Sequence, residues 1–514
     1  MIKAIPYFLP ILLSLSTTTL PARSVLADPG LEIPHTEQEL DLNPYSISAI
    51  PRLDSLKTLK NFEEYKAPFV REINNSLKVR TLFVETHDLP IVDIQLTFNA
   101  GSARDESIAA GMFGMANMAA KLMIEGTEQH DAKQITSTFD ALGAKYAIHA
   151  YRDMFTIRLR VLSDPEKMQP ALNLLLELIR NANFKQSGIN LVWSNTQVGQ
   201  KQIQENPTRL MNIQFYRALY GRHPYAQPTS GTNGGIRKVT PDLLKLFRDK
   251  FLVAQNANIA ITGDLNQEQA QQLSELISTN LPQGEKAPVI PEPEVKDGIN
   301  IYVLKRDSDQ ANITIGHLGV QRTHPDRIAL EMANRIFGGS SFTSRLSKEL
   351  RIKRGLTYSA TSSLTSTQAA GVFSLSYATR KDQLLESIQI AHQTLIDFSQ
   401  QPISALTLKE AKESMLRSFP MTLTSNASIN SHLSAIGFYG LASDYLSQYQ
   451  KQINQLTVQQ IQQAIRTHLH PEQLTVVVVS DELDQQAVYD ILQNNLKQAG
   501  LASSVQNPTA DKAH

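Results

Sequence analysis

Ile259-Ala260-Ile261-Thr262-Gly263-Asp264 and Leu474-Thr475-Val476-Val477-Val478-Val479-Ser480-Asp481 are the two stretches that decide the fold. Each is a short apolar, β-branched run closed by a small residue and an aspartate, the pattern of a strand ending in a turn. The two aspartates stand 217 residues apart. Working outward, Phe98 and His317, each inside another strand-like run, stand 219 residues apart. Strand-like runs also cover Ile301 to Leu304 and Ile313 to Leu318, ahead of helical patterns. Recurrence at nearly constant spacing implies a duplicated α+β unit. Within the first copy, Val79, Leu82 and Val84 and then Ile91, Ile94, Leu96 and Phe98 form two runs separated by His87 to Pro90, and a hairpin is expected. Helical periodicity follows over Gly114 to Ile124, Ala132 to Leu142 and Met168 to Asn181.

Between the copies, Leu281 to Asp297 holds Pro282, Pro288, Pro291 and Pro293 with several charges and little apolar periodicity, and reads as a linker. The halves then span 67–281 and 298–498, joined by a linker over 282–297. Ahead of them, Lys3 and the apolar run through Phe8, Leu9, Ile11, Leu12 and Leu13 have the layout of a signal peptide over 1–27. Pro6, Pro10 and polar Ser16 to Thr19 interrupt the roughly 20 apolar residues that a permanent membrane span needs, and Val25-Leu26-Ala27 offers small residues for cleavage before Asp28. Pro29, Pro34, Pro44 and Pro51 mark 28–66 as an extended arm, and the small, polar tail over 499–514 is expected to be disordered.

The chain has 514 residues, enough for a large buried core, and no cysteine, so disulfides and thiolate metal sites are excluded. Its 49 basic and 49 acidic residues cancel, with no basic stripe, which leaves nucleic-acid binding without electrostatic support. Polypeptides or small molecules are the expected partners. No phosphate loop, nucleophile elbow or cysteine pattern is present, and Gly338-Gly339-Ser340-Ser341 lacks a P-loop lysine and reads as a loop between helices.

A series of short motifs, in order, carries a resemblance. In the first half these are Leu89-Pro90, Ala100-Gly101-Ser102 with Asp105, Glu125-Gly126-Thr127, His223-Pro224-Tyr225, Gly231-Thr232 and Gly263-Asp264. In the second they are Gly338-Gly339, Ser344-Arg345-Leu346, Glu349-Leu350-Arg351 and Lys353-Arg354-Gly355-Leu356-Thr357-Tyr358-Ser359. Over most of 67–490 the chain resembles the pitrilysin-type (insulinase-like) zinc peptidases in their short bacterial form with two homologous halves. That resemblance implies an α+β fold of two processing-peptidase-like halves, each a mainly antiparallel sheet packed with helices.

Active members of that family carry His-x-x-Glu-His on the first helix, two imidazoles for zinc and a glutamate to activate water. Counting back from Gly126-Thr127, those positions fall on Asn117, Ala120 and Lys121; counting from Gly111 they fall on Gly114, Asn117 and Met118. Neither set binds zinc: a protonated lysine has no lone pair to offer and alanine is no base. The family's third ligand is a glutamate some tens of residues on, and no Asp or Glu occurs between Glu177 and Glu205. His468 and His470, before Pro471, are read as a surface pair without a nearby carboxylate rather than a zinc site.

The resemblance also assigns a substrate-binding arginine and tyrosine, seven residues apart, to Arg351 and Tyr358. A guanidinium and a phenol can donate to a peptide carbonyl and stabilise the oxyanion formed when zinc-bound water attacks. The plainer reading pairs Arg351 with Glu349 or a neighbouring carboxylate at a helix end and packs Tyr358 at the start of a strand. Lys353 and Arg354 are read as structural, and Gln310, opening a strand, as a candidate to hold an extended peptide. By resemblance, the chain is expected to be the non-catalytic, substrate-binding subunit of a heteromeric periplasmic zinc peptidase. It would bind no metal itself; zinc would sit in a homologous partner subunit, and the substrates would be peptides or unfolded polypeptides. A stand-alone peptide-binding protein and a peptidase with an unconventional site are the alternatives.

Overall fold

The computed structural model of the chain describes residues 65–339, 343–481 and 483–501. The expected signal peptide, the arm as far as 64, the tail from 502, and Ser340 and Ser341 lie outside the described residues. Tyr65 to Leu501 otherwise divide into two copies of one arrangement. The first runs β1 (Arg71–Ile73), β2 (Arg80–Glu85), β3 (Ile91–Phe98), α1 (Met115–Leu122), α2 (Ala132–Ala141), β4 (Lys145–Ala150), β5 (Phe155–Leu162), α3 (Pro165–Asn181), α4 (Gln186–Glu205), α5 (Pro207–Tyr220), α6 (Asn233–Arg237), α7 (Pro241–Phe251), β6 (Ala257–Gly263) and α8 (Gln267–Asn280). The second runs β7 (Asn300–Lys305), β8 (Gln310–Leu318), α9 (Arg327–Phe337), α10 (Arg345–Ser347), β9 (Ala360–Thr365), β10 (Val372–Arg380), α11 (Leu384–Gln400), α12 (Ala405–Ser418), α13 (Asn426–Phe438), α14 (Tyr445–Gln455), α15 (Val458–His468), β11 (Thr475–Ser480) and α16 (Gln485–Gln498). Capping boxes at Asp131, Asn266, Ser425 and Thr457 start α2, α8, α13 and α15, supplying acceptors to amides that have none inside the helix.

The first sheet has strand order β1-β2-β6-β3-β5-β4 and the second β7-β11-β8-β10-β9. Strands β6 and β11, the two apolar runs that lead to Asp264 and Asp481, take matching places: each is parallel to one neighbour and antiparallel to the other. This corrects the expected hairpin, since β6 inserts between β2 and β3, with Ile259 opposite Thr81 on one side and Leu96 on the other. The uncharged β6 thereby has both edges paired, where a β2–β3 hairpin would have left it with an exposed one. Gly263 closes β6 at φ +145°, and a Cβ there would lie 2.1 Å from the Ile91 carbonyl oxygen, so only glycine fits this turn.

Alternation along the strands divides each sheet between two cores. Phe83 faces the first half's own helices while Leu82 and Val84 face away; Val476 and Val478 face the second half's own core while Val477 and Val479 face away. The outward faces are covered by exchanged helices. Helix α5 of the first half lies across β8 and β11, where Met211, Phe215 and Leu219 pack on Val372, Val477 and Val479. Helix α13, which begins 219 residues after α5, lies across β2, β3 and β6 through Leu433 and Ile436. The fit is close at Gly316, where an added Cβ would come within 3.0 Å of the Phe215 ring. Truncating a buried aromatic such as Phe215 to alanine costs about 3 to 5 kcal/mol, so this exchange is a large part of what joins the halves. No described helix is long and apolar enough to cross a membrane.

Candidate functional site

The helix that aligns with the family's metal motif is α1, and its start is fixed by Asp105. That buried carboxylate accepts the backbone N–H groups of Gly114, Met115 and Ala116 at 2.7, 3.1 and 2.9 Å. Burial pushes the Asp105 carboxyl up to about 7, against the three amides that pull it down. Along α1, Met115, Ala116, Met118, Ala119, Ala120 and Leu122 are buried, Asn117 is half-buried and Lys121 is exposed. Asn117 and Lys121, four apart, share a face, while Ala120 is 3% exposed and turned into the core. The alternative alignment places buried Gly114 and Met118 at ligand positions. Either way α1 offers an amide, an ammonium, hydrocarbon or the buried thioether of Met118 where imidazoles and a carboxylate would be needed, so these residues do not fit a zinc ion. The flanking carboxylates do not repair this: Glu177 on α3 accepts from Thr127 Oγ1 at 2.5 Å and lies 3.0 Å from His130 Nδ1, tying down the loop after α1, and Glu205 is exposed at the end of α4.

In the second half the chain between α10 and β9 is anchored on both sides. Ser344 Oγ caps α10, which continues as a π-helical turn over Lys348–Ile352, a form that recurs at functional sites. Leu350 and Leu356 are buried, and the Leu356 N–H donates to the Leu350 carbonyl at 2.8 Å. Beyond them Thr357 Oγ1 donates to the Ala378 carbonyl and Thr379 Oγ1 to that of Leu356, both at 2.6 Å. Tyr358 projects from this fixed segment with 83% of its surface exposed, and Arg351 sits half-buried on the π turn. The packed-tyrosine reading therefore fails. Glu349 is engaged by Lys353 and Arg354, each at 2.6 Å, which gives those two cations a structural role. Gln310 opens β8 with its residue exposed, opposite Arg380.

These two regions are not brought into one site. Helix α1 packs against β4, α4, α6 and α7, all of the first half, and the π turn against α10 and α11 of the second. His468 and His470 also depart from expectation, because each has a carboxylate beside it: tertiary structure brings Asp326 to His468, and Glu472 lies two residues after His470. His468 Nε2 lies 2.9 Å from Asp326 Oδ2 with the His324 ring edge-on, and His470 Nδ1 lies 3.2 Å from Glu472. Each of His324, Asp326 and His468 offers a ligand atom, all within 4.8 Å of one another, where the start of α9 meets the end of α15.

Sequence reasoning missed the polar seam between the halves. Buried Asp153 accepts hydrogen bonds from the Tyr225 hydroxyl and, at 2.9 Å, from the Gln368 amide of the second half. Tyr220 donates to the Ala370 carbonyl at 2.9 Å, and His223 Nε2 to that of Pro291 in the linker at 2.8 Å. The Arg152 guanidinium sits 4.3 Å from the centre of the Tyr216 ring. The signal was there in His223-Pro224-Tyr225, whose histidine bonds to the linker and whose tyrosine hydroxyl accepts from the Ala369 amide of the second half.

Comparison with known proteins agrees with this architecture. Residues 80–233 match the model of the insulinase family, peptidase family M16, and residues 238–415 that of the peptidase M16 inactive domain. A crystal structure described as a peptidase M16 inactive domain, from Pseudomonas fluorescens, superposes with TM-score 0.77 at 31% identity, covering 81% of this chain and 98% of that one. A Helicobacter pylori protein named non-peptidase homolog YmxG is 25% identical over 415 residues, 80% of this chain and 94% of that protein. One from Rickettsia felis named uncharacterized zinc protease is 26% identical over 339 residues, 65% of this chain and 78% of its own length. With both family models matched in order and a solved relative covered almost end to end, the chain belongs to the M16 (insulinase-like) peptidase family.

Proposed function

We propose that this chain is a non-catalytic, substrate-binding subunit of a heteromeric periplasmic zinc peptidase that degrades peptides or unfolded polypeptides. One observation carries the reading: α1 has no ligand set, while Arg351 and Tyr358 are held on a rigid turn with the phenol 83% exposed. In the complex, a homologous partner subunit holds the zinc and its activated water. Tyr358 and Arg351 donate to the scissile carbonyl and stabilise the oxyanion as it forms. The name of the Helicobacter pylori relative, a non-peptidase homolog, is consistent with this role. Export rests on the segment from Lys3 to Ala27.

The test is hydrolysis of an unfolded polypeptide by this chain, by a zinc-bearing M16 homologue from the same cell, and by the two together. Turnover that needs both chains supports the proposal; equal turnover by the homologue with and without this chain overturns it. A second reading, capture of peptides without cleavage, is favoured by the outer position of β4, which lies beside α1 and has one edge free for an added strand among the described residues. Peptide binding by this chain alone, with no effect on the homologue's turnover, would select that reading.

A further inference from the structure

Where β2, the start of β6, the linker and the end of α13 converge, a cavity of about 690 Å³ separates the two halves. Lys78, Arg80, Arg104, Lys286 and Arg322 line it, and no aspartate or glutamate does. The inner guanidiniums are oriented largely by neutral oxygens. Arg104, 4% exposed, donates to Asn99 Oδ1 and to the Pro288 carbonyl at 2.7 Å each, and Arg80 donates to the Leu441 carbonyl at 2.6 Å. Such acceptors fix direction without cancelling charge. Two carboxylates lie near but outside the lining: Glu72 meets Arg80 at 2.9 Å and is itself exposed, and Asp153, bonded to Tyr225 and the Gln368 amide, offsets part of the charge of Arg104 and leaves Arg322 as the inner guanidinium without a carboxylate partner among the described residues. Most telling is Arg322, whose Nε is buried without a hydrogen-bond partner while its guanidinium lies 5.7 Å from the centre of the Tyr439 ring. A buried charged donor without an acceptor is costly, and converging like charges raise the local affinity for an anion.

We propose that this seam is an oxyanion-binding pocket, in which a carboxylate or phosphate group is held between the guanidiniums of Arg80, Arg104 and Arg322, with Lys78 and Lys286 at its exposed rim. The volume exceeds that of a bare ion, and Leu77, Val289, Phe438 and Tyr439 add apolar surface, so the group fits best as the charged end of a partly apolar molecule. Because both halves and the linker contribute residues, the ligand would bridge them. This inference does not rest on the proposed peptidase role, and its test uses the chain alone.

Calorimetric titration with inorganic phosphate, with a short apolar peptide bearing a free C-terminal carboxylate, and with the same peptide amidated at its C-terminus decides the matter. Saturable binding of phosphate or of the free-acid peptide is expected. It should weaken roughly tenfold or more in Arg322→Met, the loss expected for a charge-assisted hydrogen bond, and fall with added salt. The doubly substituted Lys78→Met/Lys286→Met chain alters only exposed residues and should also bind more weakly, which keeps the test decisive if Arg322→Met misfolds. Preference for the free acid over its amide identifies a peptide terminus, and binding of phosphate alone identifies a phosphate ligand. No saturable binding to the wild-type chain, or wild-type affinity in folded variants of both kinds, would overturn the proposal.

Discussion

Helix α1 and the turn from Lys348 to Ser359 sit in halves built to one plan, yet they have kept opposite things. In α1 the surviving constraint is burial: alanines, methionines and a leucine face the core, and the side chains left outside, Asn117 and Lys121, perform no metal chemistry. Around Arg351 the constraint is presentation, since buried leucines and two threonine hydrogen bonds hold the backbone while Tyr358 is left 83% exposed. An aromatic ring in water adds nothing to the core, so folding does not account for it.

The comparison breaks most visibly if Tyr358 is idle. Tyr358→Phe in the two-chain complex should lower turnover by roughly 10² to 10³, the usual value of one oxyanion donor, with stability and assembly unchanged. Arg351→Ala should be at least as severe. Near-normal steady-state turnover in both would make the turn scaffold.

In the first half the largest effect is on stability. Asp105→Ala strips three helix-start amides of their acceptor and should cost about 2 kcal/mol in chemical denaturation, with α1 losing hydrogen-exchange protection first. Unchanged protection would show that α1 is held by packing alone.

Acidity should separate the halves. Burial pushes His317 and His392, both in the second half, down to about 4. Each is more readily protonated when unfolded, so the stability tied to it is full above about pH 6.5 and is lost as pH falls toward 4. Asp105 has the opposite sign: its carboxyl is raised to about 7, so the folded state holds the proton better, and that contribution is full below about pH 4 and lost as pH rises through 7. Taking the chain from pH 7 to 4 should weaken the second sheet relative to α1 in exchange protection corrected for intrinsic rates. His392→Gln should reduce the second-half loss and Asp105→Asn flatten the α1 response. Parallel changes in both halves would contradict the assignment.

Smallest of all should be Asn117→Ala and Lys121→Ala, each within about 0.5 kcal/mol in stability and neutral in turnover by the complex. A large loss of turnover would give α1 a role that its chemistry does not suggest.

The repeat was legible because β6 and β11 are apolar runs closed alike, and the degenerate motif because side-chain chemistry can be judged without coordinates. The strand order was not. Nothing local to Arg80–Phe98 says that β6, far along the chain, will separate β2 from β3. Exchange of α5 and α13 was hidden for the same reason, since an apolar helical stripe does not name the sheet that covers it. His468 looked alone because Asp326, its carboxylate, lies 142 residues earlier. Arg351 and Tyr358 were picked out by motif, but only the fold shows the phenol in solvent.

Zinc content of the purified chain, by elemental analysis after dialysis against a weak chelator, tests most directly the claim that α1 is no longer a metal site. The chain with His468→Ala should be measured alongside the wild type, so that metal held by the cluster of His324, Asp326 and His468 is counted separately. The account predicts that zinc is substoichiometric in the His468→Ala chain. About one zinc per chain, retained there and lost only on substituting Asn117 and Lys121, would contradict it.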